Sequence, residues 1–270
     1  MAFKGKTIGV ISIKGGVGKT SCALNLAAAF ANEFDKKTLV VDANYSAPNL
    51  GLHMGIVQPK ITIHDVFKNN YRIQSAIHKH DENLHVVPGS LIGRRVNPFQ
   101  LKEKLNSAKY DYDAIVIDSS PNLNDEMLST ILASDELLVV STPDLPTLSC
   151  TIHAIKVAKK RKTPISGIIL NKVRNKKYEL SIDEIEKASE VPVVAVFADN
   201  AQMLEALALT TPIVMHRPMS DLSVGYKKLA ASLIGKDYSD PRLMHKIKDA
   251  FAFNKSKDEI NRTFLKYERS

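Results

Sequence analysis

The stretch ISIKGGVGKTSCALNL, residues 11–26, keeps two lysines, Lys14 and Lys19, on either side of a loop with almost no side chain of its own. Gly15, Gly16, Val17 and Gly18 offer backbone N–H groups that phosphate oxygens can approach closely, and Lys19 can reach the β- and γ-phosphates of a nucleotide. Thr20 brings a hydroxyl suited to Mg2+, Ser21 adds the next backbone N–H, and a helix starting here turns its positive end toward the phosphates. The usual phosphate-loop spacing has its first glycine where this chain has Ile13, and the rest of the loop is intact. A glycine-rich turn with no chemistry is the competing explanation. An apolar run before Gly-Lys-Thr and a helical pattern after it argue against that.

Such a loop needs a scaffold, and short β-branched runs recur along the chain: TIGVISI (7–13), TLVVDA (38–43), LHVVP (84–88), DAIVID (113–118), ELLVVST (136–142), ISGIILN (165–171) and VPVVAVF (191–197). Helical patterns such as SCALNLAAAFANEF and SCTIHAIKVAKK lie between them. Apolar strands alternating with helices predict a doubly wound α/β domain with a mostly parallel sheet of about seven or eight strands. In such a sheet ligands sit beyond the carboxyl ends of the strands, so chemistry is expected directly after each run. Asp42, Asp118 and Asn171 occupy such places. One acid at a strand end is often only a cap or turn former; several, in order, carry more weight. The segment Asn171-Lys172-Val173-Arg174 has a cation where a guanine reader needs a carboxylate, which favours ATP over GTP.

KGGVGKT resembles the deviant Walker A motif of the MinD/ParA family of P-loop ATPases, and the likeness extends over residues 5–235. It implies that Lys19 serves its own subunit while Lys14 crosses a dimer interface to the partner's nucleotide, so that ATP binding and homodimer formation are coupled. DANYSAPNLGLHMG (42–55) looks like the family's switch I, normally Asp-x-Asp followed by Asn-Leu; Asp42, Asn49 and Leu50 fit, but the second acid is Asn44. Lys14, Lys19, Asp42 and Asn44 are thus the implied catalytic group. The segment Asp118-Ser119-Ser120-Pro121-Asn122-Leu123 looks like switch II, in which Asp118 would hold Mg2+ through water beside Thr20. Residues 167–200 are similar to the MinD branch, where the asparagine ending the strand, here Asn171, contacts the base and the backbone of Phe197, Ala198 and Asp199 forms the other side of the base pocket. Slow hydrolysis is expected, because the amide of Asn44 can align a water but cannot take up its proton.

The composition bounds these expectations. With 270 residues and 44% apolar content the chain can bury one large core, and one ATPase domain over 1–240 with an appendage over 241–270 is predicted. The lack of a long apolar run or signal-peptide pattern points to a cytoplasmic protein, with a peripheral place at the inner face of the membrane as an option. A net charge of +8 favours polyanionic partners, nucleotide, nucleic acid or acidic lipid, without choosing among them. Cys22 and Cys150 are expected to be small buried residues; without a Cys-x-x-Cys pair, the branches of the family that hold iron-sulfur clusters are excluded. His78, His80 and His85 read as a solvated loop rather than a metal site, and Lys159–Lys162 as a helix end complementing the helix dipole or as a DNA patch.

Three functions remain open at this stage. The first is a MinD-like membrane-cycling ATPase that positions division machinery or another assembly, with an activating partner protein possible. The second is a ParA-like partition ATPase binding DNA nonspecifically. The third is a nucleotide-dependent scaffold with little turnover. Residues 241–270 carry eight Lys/Arg and four Asp/Glu. At 100° per residue Leu243, Met244, Ile247, Ala250 and Phe251 share one arc, and Ile260, Phe264 and Tyr267 form a second stripe. Packing on protein, a membrane interface and nucleic acid are all open for this tail.

Overall fold

A computed structural model describes residues 5–92 and 95–242. The predicted tail therefore lies, from residue 243 onward, outside the described residues.

Eight strands form one sheet: β1 (Lys6–Ile11), β2 (Thr38–Ala43), β3 (His78–Lys79), β4 (Leu84–Val87), β5 (Ala114–Ser119), β6 (Glu136–Ser141), β7 (Ile165–Val173) and β8 (Val193–Ala198). Their order is β3-β4-β2-β5-β1-β6-β7-β8, and every pair is parallel except β3 with β4. The helices are α1 (Lys19–Phe34), α2 (Leu50–His53), α3 (Ile63–Lys68), α4 (Leu101–Ala108), α5 (Asp125–Ala133), α6 (Leu145–Lys160), α7 (Ile182–Ser189), α8 (Ala201–Ala208), α9 (Ile213–His216) and α10 (Asp221–Leu233). The doubly wound, mostly parallel architecture expected from the alternation of runs is present. Seven strands match the apolar runs, and β3 is an addition of two residues at the edge.

Successive side chains of a strand point to opposite faces. Ile8, Val10, Val40, Val116, Leu138 and Ile169 accordingly meet α1 and α10 on one face. On the other, Leu39, Val41 and Ile115 pack under α4, and Leu137, Val139 and Ile168 under α5 and α6. Both faces are covered, which is why these strands read as continuous apolar runs.

α1 is rich in alanine and leucine and is almost wholly buried from Cys22 to Ala31. It ends where Asp35 turns left-handed at φ 51°. The far end of the chain closes over it. Lys227 of α10 pairs with Glu33 at 2.8 Å, the Tyr226 hydroxyl meets Cys22 Sγ at 3.5 Å, and the Tyr226 ring stacks on Phe197 with centroids 4.0 Å apart.

Two sequence expectations need correction. Neither His78 nor His85 is in a solvated loop: His78 lies half-buried on β3 with Nε2 3.4 Å from the Ile61 carbonyl, and His85 lies on β4, buried, with Nδ1 2.6 Å from the Tyr112 hydroxyl. Cys22 is buried as expected, but Cys150 on α6 is only partly so, because it falls beside the buried stripe of Thr147, Thr151, Ala154 and Ala158. No helix among the described residues is long and apolar enough to cross a membrane.

Candidate nucleotide site

The carboxyl ends of β1, β2, β5, β6 and β7 converge on the glycine loop that joins β1 to α1. Gly16 and Gly18 take positive φ, 77° and 96°, which residues with a Cβ adopt only under strain. Gly18 has a second reason to lack a side chain: a Cβ there would stand 2.3 Å from Asn171 Nδ2. That amide donates to the Val17 carbonyl at 2.8 Å, and Lys172 Nζ donates to the Gly16 carbonyl at 2.7 Å. Two residues at the end of β7 thus hold the loop's carbonyls to one side. Asn171, expected to face a base, stands directly against the phosphate loop.

Lys19 opens α1 and is buried, 7% exposed. Burial lowers its pKa, and the nearby charge of Asp118 works the other way. Thr20 Oγ1 lies 2.7 Å from Asp118 Oδ2 and 3.2 Å from Asn49 Oδ1, so the loop after β1, the segment after β2 and the end of β5 meet at one hydroxyl. Asp118 is fully buried; burial pushes its carboxyl up to about 6 against the opposing effects of Thr20 and Lys19. Its second oxygen, Oδ1, is buried and accepts no hydrogen bond from the described residues. A bare carboxylate oxygen beside a threonine hydroxyl and an amide oxygen is a hard-oxygen donor set, and it fits Mg2+.

Asp42 stands beside Asp118 in register across β2 and β5. Burial, and then the charge of Asp118, push it up to about 8, although both its oxygens accept backbone N–H bonds, Oδ1 from Asn44 and Oδ2 from Leu50, each at 3.1 Å. Asn44 is buried too, and its Nδ2 donates to the Ala47 carbonyl at 2.6 Å. The segment after β2 is therefore folded around Asp42, with the Asn44 amide turned into its own loop.

Lys14 sits apart from this cluster. Its Nζ donates to Thr147 Oγ1 at 2.7 Å and Asp144 Oδ1 at 3.2 Å, at the start of α6. Asp144 is the N-cap of that helix and also accepts from Thr142 and from the Thr147 backbone. Burial pushes Asp144 up, but the hydrogen bonds from Thr142, Thr147 and Lys14 outweigh it and bring the carboxyl down to about 2. Sequence reasoning missed Asp144, Thr147 and Lys172. The first two follow β6 directly and show the Asp-x-x-Thr spacing of a helix cap, which locates them without revealing the lysine they hold.

The remaining expected residues divide. Ser21 lies in the first turn of α1. Phe197 turns its ring into the core, so only its backbone faces the edge of β8. Ala198 is exposed, and Asp199 is tied to Arg174 at 2.8 Å with its N–H on the Val173 carbonyl.

Known proteins are similar to this chain in sequence and in fold. A family model described as an AAA domain matches residues 5–166. An uncharacterized ATP-binding protein of Methanocaldococcus jannaschii is 35% identical, over 86% of this chain and 88% of its own length. Among solved structures, the cell division ATPase MinD of Pyrococcus furiosus superposes with a TM-score of 0.78 and 30% identity, covering 84% of this chain and 97% of that one. The septum site-determining protein MinD of Pyrococcus horikoshii, complexed with Mg-ADP, gives 0.79 and 29% over 84% and 95%.

Proposed function

The chain belongs to the MinD/ParA family of P-loop ATPases, and within that family we propose a MinD-type switch, whose ATP-bound form pairs two copies, hydrolyses slowly and positions a division site or another large assembly. The observation that supports it most is the different placement of the two lysines. Lys19 is buried within the cradle beside Asp118, whereas Lys14 is held outside it by Asp144 and Thr147. A lysine at the rim, not committed to its own loop, is available to a second copy's nucleotide.

In this reading the backbone N–H groups from Gly15 to Ser21 receive the phosphates, Lys19 supplies their main counter-charge, and Thr20 and Asp118 hold Mg2+. Bound Mg2+ would neutralise charge on the β- and γ-phosphates. Asp42 carries what water activation there is, because the Asn44 amide cannot take up a proton and is already engaged with Ala47. The backbone of 197–199 borders the base, while the Asn171 amide braces the phosphate loop through Val17. An activating partner protein would act by reordering switch I. The protein would work in the cytoplasm, with a peripheral place at the inner face of the membrane as an option.

Lys14→Ala is the test. It should leave ATP binding intact and abolish ATP-dependent dimerisation in sedimentation; a variant that dimerises as well as the parent refutes the reading. A ParA-like reading draws on one feature: Lys160, Arg161 and Lys162 are exposed together at the end of α6, while Lys159 pairs with Glu190. Single-turnover hydrolysis with anionic vesicles and with DNA decides between them, stimulation by vesicles supporting the MinD-type switch and stimulation by DNA the alternative. No turnover on either surface supports the scaffold.

A further inference from the structure

We infer that α8 carries a docking surface for this chain's own segment 243–251. The helix reads AQMLEALA and is apolar on both sides. Ala206 is buried, with Met203 packed against the core beside it, yet Leu204 is 68% exposed, Leu207 41% and Leu209, just beyond the helix, 53%. A cleft of ≈ 20 Å³ separates Leu207 from His53 of α2. That space holds about one water and no small ligand, so its apolar rim suits side chains laid across it. Leu52 of α2 and Val57 beyond it are exposed as well, and Gly55 between them comes close to Thr210 after α8. Single exposed leucines are ordinary, but three within six residues, Leu204, Leu207 and Leu209, mark an interaction surface.

The place where the described chain ends selects the occupant. Arg242 is fixed at this corner, its guanidinium donating to Asp221 and to the Met219 carbonyl. Met219 lies within the tight turn closed by Ser220 N–H on the Arg217 carbonyl, and Arg217 clamps both carboxylate oxygens of Glu205 on α8 at 2.9 Å. The described chain therefore ends at a corner that Met219 and the Arg217–Glu205 pair link to α8. Leu243, Met244, Ile247, Ala250 and Phe251 form an apolar arc at helical spacing, with Lys246, Lys248 and Asp249 outside it. Nine helical residues span about 13 Å and the eight of α8 about 12 Å, so the arc and α8 match in length. A segment tethered this closely meets the surface at an effective concentration on the order of millimolar, an advantage no free partner has.

The inference is independent of nucleotide-driven pairing and is tested without nucleotide. Amide hydrogen exchange is followed in dilute full-length protein, in the Ile247→Asp/Phe251→Asp double variant and in Leu204→Asp, whose exposed site spares the core. Amides of 201–209 should exchange about tenfold or more slowly in the parent than in the double variant, the effect of burying one leucine side chain. Amides of 243–251 should lose the same protection in Leu204→Asp. Equal exchange in all three proteins overturns the inference. So does protection that falls away on dilution, which would make the occupant a second copy, or protection that arises only with anionic vesicles, which would make it a lipid surface.

Discussion

Replacing Asp42 by Asn should flatten the pH dependence of stability in the nucleotide-free protein. Asp42 is fully buried beside Asp118 and its carboxyl is pushed from an ordinary 3.8 up to about 8. Between those values the folded state keeps a proton that the unfolded chain has released. Stability from this group is thus fully present below the lower value and is lost as pH rises through the upper one, at one proton's worth, about 1.4 kcal/mol per pH unit. Asp118, raised to about 6, adds a second slope below that value, shared by both proteins. Above it, from about pH 6.5 to about pH 7.5, the parent should lose on the order of 1 kcal/mol more than Asp42→Asn. The variant has a pH-independent cost: its Nδ2 cannot accept one of the two N–H bonds from Asn44 and Leu50, which forfeits about 1–3 kcal/mol. It should therefore start less stable in acid and close the gap as pH rises. Urea unfolding at a series of pH values, free of nucleotide and Mg2+, measures both quantities. Parallel curves for the two proteins would refute the account of the acid pair.

Gly18→Ala should weaken ATP binding severely, because the new Cβ meets Asn171 Nδ2 at 2.3 Å and φ 96° is strained by about 1–3 kcal/mol; calorimetric titration checks it, and parent-like affinity would contradict it. Asn44→Asp should raise single-turnover hydrolysis, on the order of 100-fold if the carboxylate becomes a working base, and an unchanged or lower rate counts against the role given to Asn44. Lys19→Ala should abolish nucleotide binding, read by fluorescence of a labelled ATP analogue, since the phosphates lose their main counter-charge.

What the sequence disclosed and what it hid follow from the range of the forces involved. Strands covered on both faces must be apolar throughout, so β1, β2 and β4 to β8 were visible as runs; β3, two residues long, owes its existence to pairing with β4 and has no pattern of its own. The glycine loop was legible because its chemistry is local. Asp42 and Asp118 could each be seen as strand-end acids, but their side-by-side placement depends on β2 and β5 being neighbours, a fact of topology. The hold of Asp144 on Lys14 spans 130 positions and left no local trace. His85 was misplaced because it was grouped with His78 and His80 around polar KHDEN, although it also falls within the run LHVVP that forms β4.

β1 lies in the middle of the sheet, yet its neighbours are β5 and β6, with Lys6 beside Ala114 and Ile8 beside Glu136. Emerging from the ribosome before the other strands, it has no partner until more than a hundred further residues have been made. α1 waits longer still, since its covering helix, α10, is among the last described elements to be synthesised. Contacts this distant in sequence are slow to form and leave apolar surface exposed meanwhile. A nascent chain therefore cannot assemble its phosphate loop early, and nucleotide capture becomes a property of the finished polypeptide.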